Sequence, residues 1–375
     1  LIGPPDTSRA APPDTLLAAA RRAAVEAGVT RLADVTRLDC IGLPVWQAVR
    51  PMSRALSVHQ GKGATHAAAQ IGALLEGVES DAAERFEGEG PTAAWNDLDP
   101  VTRPADLTGL ARDPDAPPSP DRPYRWAKAE RLGSGEAFLP FDTVSLDFTR
   151  GFPTDFERAS AGVATGTTRD EAIRVGLSEL VERDARAAFT RADDFFRLEQ
   201  EITLSSIAFD WFGALRERLE QAGASLRVFH FPSLTGTPVI ACTLADQGKG
   251  VLAYASLLGH AAHADPEQAL FQALAEALQG RATYIAGARD DLLPEHYEKA
   301  VRAGFLLAPP PASNVDGKPF GAIPPGPDDW QALSDRLAQR GFADQFVVPL
   351  RDAHGFTTVR VTVPGLGTLR KGRRP

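Results

Sequence analysis

A chain of 375 residues, 43% hydrophobic and 24% charged, has the composition of a globule that buries a sizeable core in one large domain or two ordinary ones. Its 40 basic and 49 acidic residues leave a formal charge of −9, which argues against a nucleic-acid face and leaves no polybasic patch for a membrane surface. No run of about 18 apolar residues occurs, which speaks against a spanning helix. The opening Leu1-Ile2-Gly3-Pro4-Pro5 lacks a basic segment followed by an apolar one, so no secretory signal and a cytoplasmic location are expected. Cys40 and Cys242 stand alone, far from other thiols, and read as reduced core residues.

Residues 1–13 read as a Pro-rich arm. Leu16 to Ala27 patterns as a helix, with Asp14 as N-cap and Gly28 as stop. Residues 1–28 therefore read as an arm and helix ahead of a domain over 29–375. Apolar runs between Asp34 and Val49 predict strands ending at Pro51, and Ala64 to Phe86 has helical spacing. The stretch 88–124, rich in Pro, Asp and Gly, predicts a surface excursion suited to a lid or partner loop. Phe141 to Phe148 reads as a strand. Asp170 to Ala188 is a periodic helix, with Thr168 and Glu171 spaced as a capping box. Leu226–Pro232 and Pro238–Leu244 predict strands around a turn at Gly236, with Val251–Ala255 extending the set. Asp265-Pro266 opens a helix running to about Ile285, Asp as N-cap and Pro at the first helical position. Phe346–Leu350 and Thr357–Val363 are late strands. Helices and strands mix throughout, which gives an α/β (mixed α+β) architecture, and no internal repeat is visible.

Three of these helices carry polar residues on one face. Glu76 and Glu79 lie at i, i+3, with Gly72 one turn earlier; Glu179 and Glu182 repeat the spacing, with Arg183 next and Glu171 eleven residues before Glu182. Glu276 and Gln279 share a third face, followed by Arg281. Two opposed Glu-x-x-Glu faces would make a four-carboxylate cluster that repels itself unless cations neutralise it. Mg²⁺ would do so while bridging to phosphates, and the two arginines would contact phosphate directly. The competing reading is two solvated helix faces; Leu74-Leu75 ahead of Glu76 and Leu180-Val181 between Glu179 and Glu182 count against it. Gly61-Lys62-Gly63 lacks the upstream Gly and the following Ser or Thr of a P-loop. His260 and His263 read as structural rather than as a metal pair.

Taken in order, these segments resemble the YcaO family. Arg31-Leu32-Ala33-Asp34-Val35-Thr36, with Leu38-Asp39 and Ile41-Gly42-Leu43-Pro44-Val45, is similar to its N-terminal strands. Arg50-Pro51 and Gln60-Gly61-Lys62-Gly63 follow, and then Glu76-x-x-Glu79, similar to the family's S-x-x-x-E-x-x-E motif. Gly162 to Gly166, Glu171-Ala172 and Glu179-Leu-Val-Glu182-Arg183 resemble its second acidic helix. Ala273-Leu274-x-Glu276-Ala277-x-Gln279-x-Arg281 and Val363-Pro364-Gly365 resemble later blocks. The resemblance spans 29–368 and implies a YcaO-type fold with an ATP and Mg²⁺ site between acidic helices. It implies Glu76, Glu79, Glu179 and Glu182 as metal ligands. Lys62, Gly72, Glu171, Arg183, Glu276, Gln279 and Arg281 would face the nucleotide, and Glu79, Glu182 and Arg183 would serve catalysis. Gly72 stands where the family has Ser, and Thr167 where Asn is frequent; Met52 and Cys40 also depart.

The family's activity is ATP-dependent phosphorylation of a backbone amide oxygen in a peptide or protein substrate. External sulfide as nucleophile gives a thioamide; a substrate Cys, Ser or Thr gives an azoline ring. The ending Leu369-Arg-Lys-Gly-Arg-Arg-Pro375 lacks the P-x-P-x-P tail of ring-forming members, which favours thioamidation beside a TfuA-type sulfur-delivery partner. A leader-binding partner and a cyclodehydratase activity form the alternative. A non-catalytic peptide-binding scaffold is a third reading, motivated by Gly72 and Thr167. A homodimer remains open.

Overall fold

A computed structural model describes residues 3–4, 13–113, 115–151, 154–246, 257–293 and 317–366. The expectations for residues 5–12, Val251–Ala255 and the 369–375 tail lie outside the described residues. The N-terminal elements are α1 (Pro13–Glu26), β1 (Arg31–Asp34), β2 (Val45–Val49), β3 (Val58–Lys62), α2 (His66–Glu84) and β4 (Thr92–Ala94). Next come β5 (Pro123–Arg131), β6 (Gly135–Pro140), α3 (Phe141–Val144), β7 (Val163–Gly166), α4 (Arg169–Arg191), α5 (Asp194–Glu199) and α6 (Asp210–Gln221). The chain continues with β8 (Ala224–Phe231), β9 (Val239–Asp246), β10 (Leu257–Ala262), α7 (Pro266–Ala286), α8 (Trp330–Gln339), β11 (Phe346–Ala353) and β12 (Phe356–Thr362). Every strand pairing within these sheets is antiparallel, so the mixed architecture is of the α+β kind.

The chain forms two compact units. The first contains residues 1–51, 56–77 and 188–326, and it holds the same order of elements twice. α1-β1-β2-β3 leading into α2, and α6-β8-β9-β10 leading into α7, each consist of a helix, a three-stranded meander and a helix. In each copy a glycine of the third strand lies directly on the following helix. A Cβ at Gly61 would stand 2.0 Å from the Ala69 carbonyl and 2.2 Å from the Ala73 nitrogen; one at Gly259 would stand 2.1 Å from the Ala273 carbonyl and 2.3 Å from the Ala277 nitrogen. This internal duplication was not visible as a sequence repeat. Val228, Ile240 and Cys242 of the second meander pack with Leu270, Leu274 and Leu278 of α7 and Phe212 and Leu215 of α6.

The second unit contains residues 52–55, 78–187 and 327–375. Its sheet runs β4-β5-β11-β12-β7, with β6 on β5. Trp126, Leu139 and Phe346 centre its core. Within 88–124, Leu98, Leu107 and Leu110 are buried in that core. Arg103 stacks on Trp95, 3.7 Å from the ring centroid, and Trp95 Nε1 donates to the Pro104 carbonyl at 3.0 Å.

Several expected elements form as patterned. Asp265 caps α7 by accepting from the Glu267 amide at 2.9 Å, with Pro266 in the first turn. Asp14 does not cap α1 but lies inside its first turn. Phe141–Phe148 is not a strand. The strand is β6, ending at Pro140, and the Thr143 hydroxyl donates to the Pro140 carbonyl at 2.7 Å. That bond turns the chain into the short helix α3, with residues 143–147 all buried.

Overpacking at the two glycine contacts costs about 1–3 kcal/mol each, so Gly61→Ala and Gly259→Ala both lower the melting temperature. Gly213→Ala in α6, where an added Cβ meets nothing within 4 Å, gains about 0.5–1 kcal/mol from helix propensity. Calorimetric melts of the three variants decide the matter: unchanged stability of Gly61→Ala would show that β3 does not rest on α2.

Candidate functional site

The carboxylates of α2 and α4 are oriented by main-chain amides. In the first unit Gln60 N of β3 donates to Glu76 Oε2 at 2.5 Å. In the second, Thr165 N of β7 donates to Glu79 Oε1 at 2.8 Å, and Gly162 N, just ahead of β7, donates to Glu179 Oε2 at 3.0 Å. Such charge-assisted bonds fix both the position and the angle of a carboxylate. Arg183 Nε and Nη2 meet Glu179 Oε1 at 3.0 and 2.9 Å, and Glu182 lies half-buried on the same helix.

Glu171 serves the start of α4. Its Oε2 accepts from the Thr167 amide at 2.8 Å and the Thr167 hydroxyl at 2.6 Å, while its own amide donates to Thr168 Oγ1 at 3.2 Å. The capping pair thus forms, with Glu171 reaching one residue beyond the cap.

A second polar group in the first unit gathers around Gln60. Thr283 Oγ1 and Gln279 Nε2 of α7 donate to Gln60 Oε1 at 2.6 and 3.4 Å, and Gln60 Nε2 is buried without a partner. Two residues along β3, Lys62 Nζ lies 3.2 Å from Glu276 Oε2, and His260 Nδ1 approaches Glu276 Oε1 to 3.7 Å. Burial raises the Glu276 pKa, but Lys62 and His260 outweigh it and hold the carboxyl below its usual range. Lys62, Glu276 and Gln279 are therefore brought together. Arg281 Nε instead grips both oxygens of Asp39 at 3.1 Å. Gly72 faces β3 at close range, its would-be Cβ 3.3 Å from Gly61 Cα.

Sequence reading had not singled out the orphaned Gln60 amide or the Asp39 partner of Arg281 for a role. A Gln inside a strand and an acid just ahead of the apolar stretch from Cys40 to Leu43 are the only signals they leave. His263 Nδ1 accepts from the Asp265 amide at 3.0 Å, at the entrance to α7. Cys242 is buried in β9, which pushes its thiol pKa up, whereas Cys40 is exposed near Asp39 and is not a core residue.

Among the described residues no three acid, imidazole or thiol groups converge into a metal cage. Glu76, Glu79 and Glu179 each accept from a main-chain amide, and Glu179 also pairs with Arg183. The donors still fit Mg²⁺, which takes oxygen ligands and usually binds through one or two carboxylates together with water and substrate phosphates. Gln60 Nε2 is buried with no hydrogen-bond partner, a donor that an oxygen-rich ligand would satisfy.

The family model described as YcaO cyclodehydratase, ATP- and Mg²⁺-binding, matches residues 60–367. The chain is a member of the YcaO family. ATP and Mg²⁺ are its cofactors. A Rhizobium leguminosarum bv. trifolii protein described as lying in the tfuA 3′ region is 34% identical to this YcaO protein, over 96% of this chain and 88% of that one. Among solved structures, YcaO from Methanopyrus kandleri bound with AMPPCP and Mg²⁺ has a TM-score of 0.70 at 23% identity, covering 95% of this chain and 91% of that one. A heterocyclase in complex with substrate and cofactor has a TM-score of 0.76 at 20% identity; it covers 97% of this chain, which spans only 53% of the heterocyclase. These structural likenesses establish the YcaO fold.

Lys62→Met removes the nearest cation from Glu276, so the Glu276 carboxyl titrates at higher pH in the variant. The folded-state pKa of Glu276 is depressed, so the stability it contributes is present above the unfolded pKa and fades as pH falls through the folded one. The variant loses part of that contribution. Carbon-detected NMR of the side-chain carboxyl checks the shift, and an unmoved midpoint would uncouple the two groups.

Proposed function

We propose that this YcaO protein phosphorylates a backbone amide oxygen of a ribosomally made peptide or protein, and that a TfuA-type partner then delivers sulfur to give a thioamide. The observation that carries the reading is the pair of Glu-x-x-Glu helices, three of whose four carboxylates (Glu76, Glu79 and Glu179) are pre-oriented by main-chain amides, in a chain of an ATP- and Mg²⁺-binding family. The relative described by its position in the tfuA 3′ region supports the sulfur-delivery partner.

In this reading Glu76, Glu79, Glu179 and Glu182 hold the metal. Lys62, Gln279 and the free amide of Gln60 bind the nucleotide, with Glu276 keeping Lys62 in place. Gly72 lets β3 lie against α2, Glu171 fixes the start of α4, and Arg281 braces α7 through Asp39. Mg²⁺-ATP supplies the phosphoryl group and neutralises charge on it. Arg183 is one turn from Glu179 and can exchange that carboxylate for a developing phosphoryl charge, to which a guanidinium fork is matched. The amide oxygen leaves as phosphate, and sulfur takes its place on the carbonyl carbon. In this reading the partner brings the sulfur; of the two cysteines Cys242 is sealed in the core and only Cys40 is exposed.

Azoline formation is the second reading, supported by the cyclodehydratase description of the family and the heterocyclase likeness. It uses the same site with a substrate Cys, Ser or Thr as nucleophile. Among the described residues no helix is long and apolar enough to cross a membrane.

Two measurements test the reading. Glu79→Gln and Glu182→Gln each remove one anionic ligand at nearly constant shape, so substrate-dependent ADP release falls at least ~100-fold while the circular dichroism spectrum is unchanged; wild-type turnover would reduce both residues to surface charge. Intact-mass analysis of the peptide substrate after reaction with ATP, Mg²⁺, sulfide and the TfuA-type partner shows exchange of one oxygen for one sulfur. Loss of one water with no sulfide requirement would replace thioamidation by azoline formation.

A further inference from the structure

The second unit carries a half-open cavity of about 320 Å³, and of its lining residues only Arg183 has a role in the phosphoryl chemistry proposed above. Arg360 of β12 and Arg183 and Arg186 of α4 line it, and Glu157 is the only carboxylate among its described lining residues. Arg360 is 5% exposed. One of its Nη atoms donates to the Ala159 carbonyl, but its Nε is buried with no partner. Thr362, two residues along the same strand and so on the same side of it, also lines the cavity, and its Oγ1 is likewise buried and unpartnered. Burial pulls the Arg360 pKa down to about 10, so it is charged at neutral pH.

An unsatisfied buried donor is expensive, and more so on a charged group. Two of them beside one cavity define what would satisfy them: an acceptor with two oxygens, of negative charge. Arg183 is already paired with Glu179, and the unpartnered Nε of Arg360 suits a single negative charge. The cavity lies at the small end of the range for ligand sites, which begins at about 300 Å³, and is still far larger than an inorganic ion. Leu110, Leu180 and Leu366 give it apolar walls. A ligand with a carboxylate head and an apolar body matches all three properties.

We propose that this cavity is a carboxylate-binding subsite for the peptide substrate, taking an acidic side chain or the chain-terminal carboxylate onto Arg360 Nε and the Thr362 hydroxyl. It rests on the peptide-substrate part of the function proposed above and on none of its ATP chemistry. Arg360 and Thr362 are positioning residues: they hold one end of the substrate and do not touch the reacting amide.

The test is isothermal titration of the full chain, without nucleotide or Mg²⁺, by three capped dipeptides: acetyl-Leu-Ala as free acid, the same peptide as C-terminal amide, and acetyl-Glu-Leu amide. At least one carboxylate probe binds ten or more times tighter than the uncharged amide. Preference for the free acid identifies a chain end, and preference for the glutamyl peptide identifies an acidic side chain; either supports the subsite. Arg360→Gln abolishes the preference. Thr362→Val, nearly isosteric and therefore a safe fold, weakens the preferred probe at least threefold and leaves the uncharged amide unchanged. Equal or absent binding of all three probes overturns the proposal, as does a preference untouched by Thr362→Val. Displacement of the bound probe by inorganic phosphate at lower concentration, or by Mg²⁺-ATP, would also overturn it by making the cavity a phosphate site. A failed carboxylate preference leaves the Glu79→Gln and Glu182→Gln measurements standing, and the loss of those leaves this titration standing.

Discussion

Gly61 leaves no room between β3 and α2 for even a methyl group, and the polar geometry of the first unit depends on that contact. A strand pressed against a helix backbone has its neighbouring residues placed to within a few tenths of an ångström. Gln60 can then donate its main-chain amide to Glu76 and accept from α7 on its side-chain oxygen, and Lys62 can meet Glu276. Gly72 completes the approach from the helix side. A serine hydroxyl at that position, as elsewhere in the family, would sit over the same strand. A serine Cβ there would stand 3.3 Å from Gly61 Cα, so glycine here is part of what lets the strand come so close.

The acidic residues are arranged as separate, oriented acceptors. Main-chain amides are suited to this because they carry no net charge: they hold a carboxylate without cancelling its attraction for a cation. Arg183 differs, since its charge partly cancels that of Glu179. Carboxylates held apart in this way need no counterion to keep their positions.

The helices that carry the acidic residues were legible in the sequence because their signals are local. The Asp265-Pro266 start of α7 and the Thr168–Glu171 pair of α4 act within one turn, and the order of the motif blocks pointed to the family. The hairpin β5–β6 was not legible. Arg125, Lys128 and Glu130 interrupt its apolar pattern, and the buried faces of Trp126, Ala129 and Leu139 are recognisable only once the strands pair. Phe141–Phe148 misled for the opposite reason, since nearly every residue there is buried and no face alternates. The orphaned amide of Gln60 and the unpartnered donors of Arg360 and Thr362 are properties of a folded neighbourhood, and a sequence records only that polar residues sit in β-branched or buried runs.

The duplicated helix–meander–helix has a consequence for how such a protein can change. Matching the two glycine contacts makes Ala73 the counterpart of Ala277, so Gly72 corresponds to Glu276 and Glu76 to Gly280. Acid stands opposite glycine at both positions, in reverse order. Each copy keeps the small residues that set its strand against its helix, and each has assigned the adjoining positions differently. Packing and chemistry are therefore inherited on separate residues, and one copy can acquire or shed a charge without its twin, or its own backbone, having to follow.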